Sequence, residues 1–194
     1  EQKALDKYYL EIIKQSQNVN NIFSTIVSLD KINKDLDYLR KHSAISGDVV
    51  TKLGDFIIQL PLETENSSFL FSCYTSKVPV FPALVASILS EIKEPLFNDS
   101  EERVNVFFEY LKIFNIILMK NEDLEDINIT EMSRELNIKS HLLATILEKL
   151  RQCCSILRDN LGIKVKVGVY DTDNLIKIIS IHYEKSYFDE TYIL

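Results

Sequence analysis

Apolar residues recur every three or four positions along most of the chain, the spacing of helices that bury one face. Residues 4–16 are predicted as a helix with Leu5, Tyr9, Ile12 and Ile13 inward, followed by a loop from Asn18 to Asn21. A second helix is predicted over 30–41, with Ile32, Leu36 and Leu39 inward and Asp30 able to cap its free N–H groups. Ser46-Gly47-Asp48 reads as a turn, and the β-branched Val49, Val50 and Thr51 suit one short strand. Leu53, Phe56, Ile57 and Leu60 mark a helix that Pro61 stops. Helix, turn, short strand and helix in this order suit part of a winged-helix unit.

Beyond Pro61 the helical period continues. Phe69, Leu70, Cys73 and Tyr74 share a face within 66–76. Pro82 suits the first turn of a helix in which Ala83, Ala86 and Ser87 permit close approach. Residues 104–119 are apolar almost all round, which predicts the most buried helix of the chain. An acidic loop, NEDLEDIN, leads to a short helix over 130–136, with Asn128 and Glu131 at capping-box spacing. Ser140 opens a longer helix with Leu142, Leu143, Ile146, Leu147 and Leu150 inward. IKVKVGVY alternates and reads as a strand, and 173–186 as a last helix. The expected fold is mainly α, with few short strands. A winged-helix-like unit over 1–62 would be followed by a helical bundle over 63–194.

Four Gly and four Pro in 194 residues argue against a loop-rich or multi-stranded β fold. No apolar run approaches the roughly 18 residues of a membrane span, and the N-terminus lacks a signal-peptide layout. The chain does not begin with Met, so a piece of a longer protein is expected. Cys73, Cys153 and Cys154 read as reduced thiols, which places the chain inside the cell, in cytoplasm or nucleus. The net charge of −7 opposes a free-standing nucleic-acid binder. The charge is uneven, however. Residues 91–135 hold twelve acids and five bases, whereas 139–166 hold six bases and two acids. The second stretch can face phosphate, although a solvated helix face has the same pattern.

No P-loop, no G-x-G-x-x-G, no C-x-x-C, no H-E-x-x-H and no G-x-S-x-G occurs. No independent active site, metal site or cofactor is therefore expected.

The stretch INKDLDYLRKHSAISGDVVTKLGDFIIQLPL resembles the region that follows the motor of DEAH-type RNA helicases. The matching features are the Ser43-Ala44-Ile45 turn, the core Val50-Thr51-Lys52-Leu53-Gly54, and the stop Leu60-Pro61-Leu62. ALVASILS, EYLKIFN, EMSRELNIKSHLLATILEKL and DNLIKIISIHY are similar to the family's later helices, the third of these to its ratchet helix. The likeness runs from about residue 10 to about 190. Departures include the missing Gly-Asp before Leu111, Thr64 in place of a Pro, and a ratchet helix thinned to Arg134, Lys139, Lys149 and Arg151. They suggest a divergent member, such as a viral one.

The resemblance implies a winged helix and a ratchet-type bundle beside two RecA-like motor domains of the same parent chain. ATP and Mg would bind there and not here. Single-stranded RNA would lie weakly against Arg134, Lys139, Lys149, Arg151 and Lys164. Two other readings are open. The first is a winged-helix DNA-binding protein, with Ser140–Arg151 as recognition helix, IKVKVGVY as wing, and Lys139, Lys149, Arg151, Lys164 and Lys166 on phosphate. The second is a protein-interaction module using the apolar helices and the acidic loop.

Overall fold

Leu5, Tyr9, Ile12 and Ile13 do share a face, and they lie on the first of nine α-helices found among the described residues. The computed structural model describes residues 2–15, 17–23, 27–99, 106–173, 175–178 and 180. The chain is mainly helical, with one small two-stranded sheet. It divides into two compact units, residues 1–72 and 73–194.

In the first unit, α1 (Gln2–Lys14) buries Tyr9 and Leu10 completely. The expected loop after it contains a short helix instead, α2 (Val19–Phe23). The Asn18 side chain accepts from the Asn20 N–H at 2.9 Å, and Val19 is buried, so two forces favour a turn of helix in an Asn-rich stretch. α3 (Leu29–Lys41) is capped by Ser28, whose hydroxyl accepts from the Lys31 N–H. Asp30 sits one residue inside the helix, where its charge suits the N-terminal dipole, and is not the cap.

The short strand expected at 49–51 is one half of a hairpin. β1 (Ile45–Ser46) pairs antiparallel with β2 (Val49–Val50), with Ile45 opposite Val50 and Ser46 opposite Val49. Gly47 supplies the positive φ of the turn, +60°. Thr51 then joins the hairpin to α4 (Lys52–Gln59). Its hydroxyl accepts from the Gly54 N–H at 3.1 Å and lies 2.6 Å from the Ser43 carbonyl, to which it donates. Its own N–H donates to the Ala44 carbonyl. Leu60 and Leu62 are buried on either side of Pro61. α5 (Thr64–Thr75) follows, and Phe71 meets Phe56 of α4 edge-on at 5.3 Å.

Gly54 is where α4 comes closest to the hairpin. A Cβ there would lie 2.4 Å from the Ala44 carbonyl oxygen and 2.5 Å from Val50 Cγ1. Gly54→Ala gains about 1 kcal/mol of helix propensity. The backbone carbonyl must move to admit the methyl, and overpacking of this kind costs about 1–3 kcal/mol. Net destabilisation is the expected outcome of urea unfolding; a midpoint raised by the substitution would show that the hairpin gives way freely.

Among the described residues of the second unit the innermost helix is α6 (Val80–Ser90), with every residue from Val80 to Leu89 buried except Pro82. This corrects the expectation for 104–119. The helix there, α7 (Val106–Lys120), exposes Lys112, Ile116, Met119 and Lys120 while burying Tyr110, Leu111, Phe114, Ile117 and Leu118. Small residues decide the order. Ala83, Ala86 and Ser87 let neighbours close on α6 from several sides, and α7 and α9 (Ser140–Asp159) both pack against it. The Ser87 hydroxyl is satisfied by the Ala83 carbonyl at 2.8 Å.

A 3-10 turn, Leu124–Asp126, leads to α8 (Ile129–Leu136). Asn128 caps α8 as expected, accepting from the Glu131 N–H at 3.2 Å. Asn137 ends it in the left-handed region, φ +56°, which Asn tolerates. The turn into α9 is fastened to the segment before α7. Phe97 bridges Ile138, and the Lys139 N–H donates to the Leu96 carbonyl at 2.8 Å.

The expected strand at IKVKVGVY is not one. Residues 163–170 form no regular element, with a bend at Gly168; Ile163 and Tyr170 are buried, Lys164 and Lys166 are exposed, and the segment has no strand partner among the described residues. One side chain takes over part of the ladder's role. Asn115 of α7 donates to the Tyr170 carbonyl at 2.8 Å and accepts from the Tyr170 N–H at 3.0 Å. The Tyr170 hydroxyl donates to the Leu111 carbonyl at 2.7 Å, and burial raises its pKa further above the usual phenol range. Of the last expected helix, residues 173, 175–178 and 180 are helical, and 181–186 lie outside the described residues.

Candidate nucleic-acid interface

The basic stretch 139–166 covers α9 and the extended segment after it. Leu143, Ile146, Leu147, Leu150, Cys153 and Leu157 form the buried stripe of α9. The opposite stripe carries His141, Thr145, Glu148, Gln152, Ser155 and Asp159, with two acids and no Lys or Arg. The cations stand elsewhere.

Lys149 and Arg151 flank the buried stripe. Two residues apart on an α-helix, they point about 160° away from each other. Lys149 pairs at 2.8 Å with Glu91, whose side chain is only 9% exposed. Arg151 donates through Nη2 to the Leu124 carbonyl at 2.8 Å, and its Nε lies 3.3 Å from Glu125 Oε1. Both side chains are therefore engaged inside the unit. Lys149 neutralises a nearly buried carboxylate, and Arg151 fastens the acidic 3-10 turn to α9.

The other three candidates are more available. Arg134, in the last turn of α8, is exposed, as is Lys164; Lys139, at the start of α9, is half-buried. None of the three makes a side-chain bond among the described residues. They do not form one patch. Arg134 and Lys139 stand near the N-terminal end of α9, while Lys164 follows its C-terminal end, and a helix of 20 residues is about 30 Å long. The pairing of Lys149 with Glu91 was invisible in sequence because the two stand 58 residues apart.

α8, the Asn137 turn and α9 have the order of a helix-turn-helix. A recognition helix would need bases near its outward face to meet phosphate, and that face is polar and acidic here. His141 is bonded to Glu94, and the Thr145 hydroxyl to the His141 carbonyl.

Elsewhere in the chain, the first unit has a half-open cleft of about 500 Å³. Its rim includes Gln17, Asn18, Asn20, Asn33, Arg40 and Asp48, with Val19 and Leu36 at the bottom. Its described lining holds no Ser, Thr, Cys, His or Lys side chain. Cys73, Cys153 and Cys154 are free thiols; burial pushes Cys73 up to about 12 and Cys154 to about 11, which makes both poor nucleophiles. Among the described residues no three His, Cys, Asp or Glu side chains gather as metal ligands, and no helix is long and apolar enough to cross a membrane. Comparison with protein-family models and with curated proteins finds no match.

Proposed function

We propose that this chain is the helicase-associated module of a divergent DEAH-type RNA helicase. In this reading a winged-helix unit and a ratchet-type helical bundle sit beside RecA-like motor domains that bind ATP and Mg. The module does no chemistry. It positions single-stranded RNA while the motor supplies the work.

The observation that carries the reading is the part played by the residues of the resemblance. Thr51 and Gly54 hold the hairpin against the start of α4, and Leu60 and Leu62 are buried about the Pro61 stop. The likeness therefore rests on residues that build a fold, not on a chance surface pattern. A shared fold supports a shared role only by analogy. The second support is the polar outward stripe of α9. His141, Thr145 and Gln152 can touch bases and riboses without the strong hold of a basic face, which suits a strand that must slide.

Weak binding to single-stranded RNA with little sequence preference is expected in fluorescence anisotropy. Arg134, Lys139 and Lys164 offer three phosphate contacts. At about 0.7 units per contact the log–log salt slope is near −2. Reversing Arg134 and Lys139 to Glu should weaken binding to every strand alike. Reversing Lys149 or Arg151 should instead damage folding, since each has an internal partner. Tight binding to one duplex DNA site would replace this reading with the helix-turn-helix one. Loss of all RNA binding with retained binding to a protein would favour an interaction module.

A further inference from the structure

A polar knot lies inside the first unit, where α1, α3 and α5 meet. Asp6 of α1 is buried, and its Oδ2 accepts from the Thr64 hydroxyl of α5 at 3.3 Å. Its Oδ1 is also buried and has no hydrogen-bond partner among the described residues. A second buried carboxylate, Asp35 of α3, lies near enough to repel its charge. Asp35 is satisfied by the Tyr9 hydroxyl at 3.1 Å and the Lys31 ammonium at 3.2 Å. The Lys7 ammonium donates to the Leu60 carbonyl. Of the two acids, Asp35 thus holds the cation and Asp6 holds one neutral hydroxyl.

We propose that Asp6 is a proton-operated latch that seats α1 on α3 and α5 when protonated and loosens α1 when ionised. The physical argument is the imbalance of partners. An ionised Asp6 leaves one carboxylate oxygen buried without a donor and places a second negative charge beside Asp35. A proton removes both penalties. Lys31, the cation on the facing helix, offsets only part of the repulsion, because Asp35 already holds it. Tyr9 feels the same field: burial, its bond to Asp35 and both acids push its hydroxyl up to about 12, so it stays a donor throughout.

Burial is the main cause that lifts Asp6 from 3.8 to about 6, with the Thr64 bond acting the other way. A folded-state value above the unfolded one means that the native chain binds more protons between the two. Stability of this contact is therefore highest on the acid side, falls as pH rises through about 6, and is level above that.

Hydrogen exchange of the full chain at pH 5 and pH 7, corrected for intrinsic rates, tests the latch. Protection of the α1 amides should be about tenfold greater at pH 5, since this is one unit below the folded value. Asp6→Asn should make that protection independent of pH and at least as high at pH 7 as the parent. Thr64→Val removes the donor that favours the ionised form, so the pH midpoint should move upward. A carbon-13 titration of the Asp6 carboxyl in the unaltered chain needs no variant to fold, and a midpoint near 6 is expected. A midpoint near 4, or α1 protection with the same pH dependence in Asp6→Asn, would overturn the proposal.

Discussion

Replacing Asn115 with Leu should cost the second unit about 2–6 kcal/mol, although the side chains are similar in size. Asn115 bonds both the N–H and the carbonyl of Tyr170 in a buried setting. Leu satisfies neither group. A buried polar group left without a partner costs about 1–3 kcal/mol, and two groups are affected here. Urea unfolding measures the loss, and exchange of the Tyr170 amide locates it. A cost under about 1 kcal/mol, with that amide still protected, would mean that 163–170 is held by its apolar contacts alone.

Phe114→Ala should cost about 3–5 kcal/mol, the range for a large aromatic removed from a packed interior. Phe114 is 2% exposed on α7. The same substitution at Phe107 is not comparable, because that side chain lies outside the described residues. Leu84 of α6 is fully buried and provides the control; Leu84→Ala should cost about 2–5 kcal/mol. A loss below about 1 kcal/mol at Phe114, with a large loss at Leu84, would place α7 at the periphery of the unit.

Much of the helical framework was legible because burial has a period. The positions of Tyr9, Ile32, Leu36, Phe56, Leu143 and Leu147 predicted their helices, and these residues are buried. Asn128 was readable as a cap because the capping distance is short in sequence. Features set by distant partners were not readable. β1 is two residues long, too short for any alternation to show. IKVKVGVY has the alternation of a strand, and its first five residues keep it, with Lys164 and Lys166 exposed between Ile163, Val165 and Val167; but Val169 is exposed and Tyr170 buried, and a ladder also needs a neighbour. Apolarity all round suggested that α7 was central, whereas close approach through Ala83, Ala86 and Ser87 made α6 the inner helix.

The candidate surface was less legible than the framework. Charge counting along 139–166 gave Lys149 and Arg151 the same weight as Lys164, but the first two serve Glu91 and the Leu124 turn. The buried acids did leave a signal. Asp6 precedes Tyr9, Leu10 and Ile13 at helical spacing, and Asp35 falls between Ile32 and Leu39 in the same way. A carboxylate on the apolar stripe of a helix marks either a hidden partner or a displaced proton.

In the proposed function, single-stranded RNA lies along the outward stripe of α9 without being gripped by it. The most direct measurement is an NMR titration of the full chain with a short single-stranded RNA of mixed sequence. Fast-exchange shifts are expected at His141, Thr145, Glu148 and Gln152, with Arg134 and Lys139 at one end and Lys164 at the other. Shifts confined to other surfaces, or none at millimolar RNA in low salt, would contradict it.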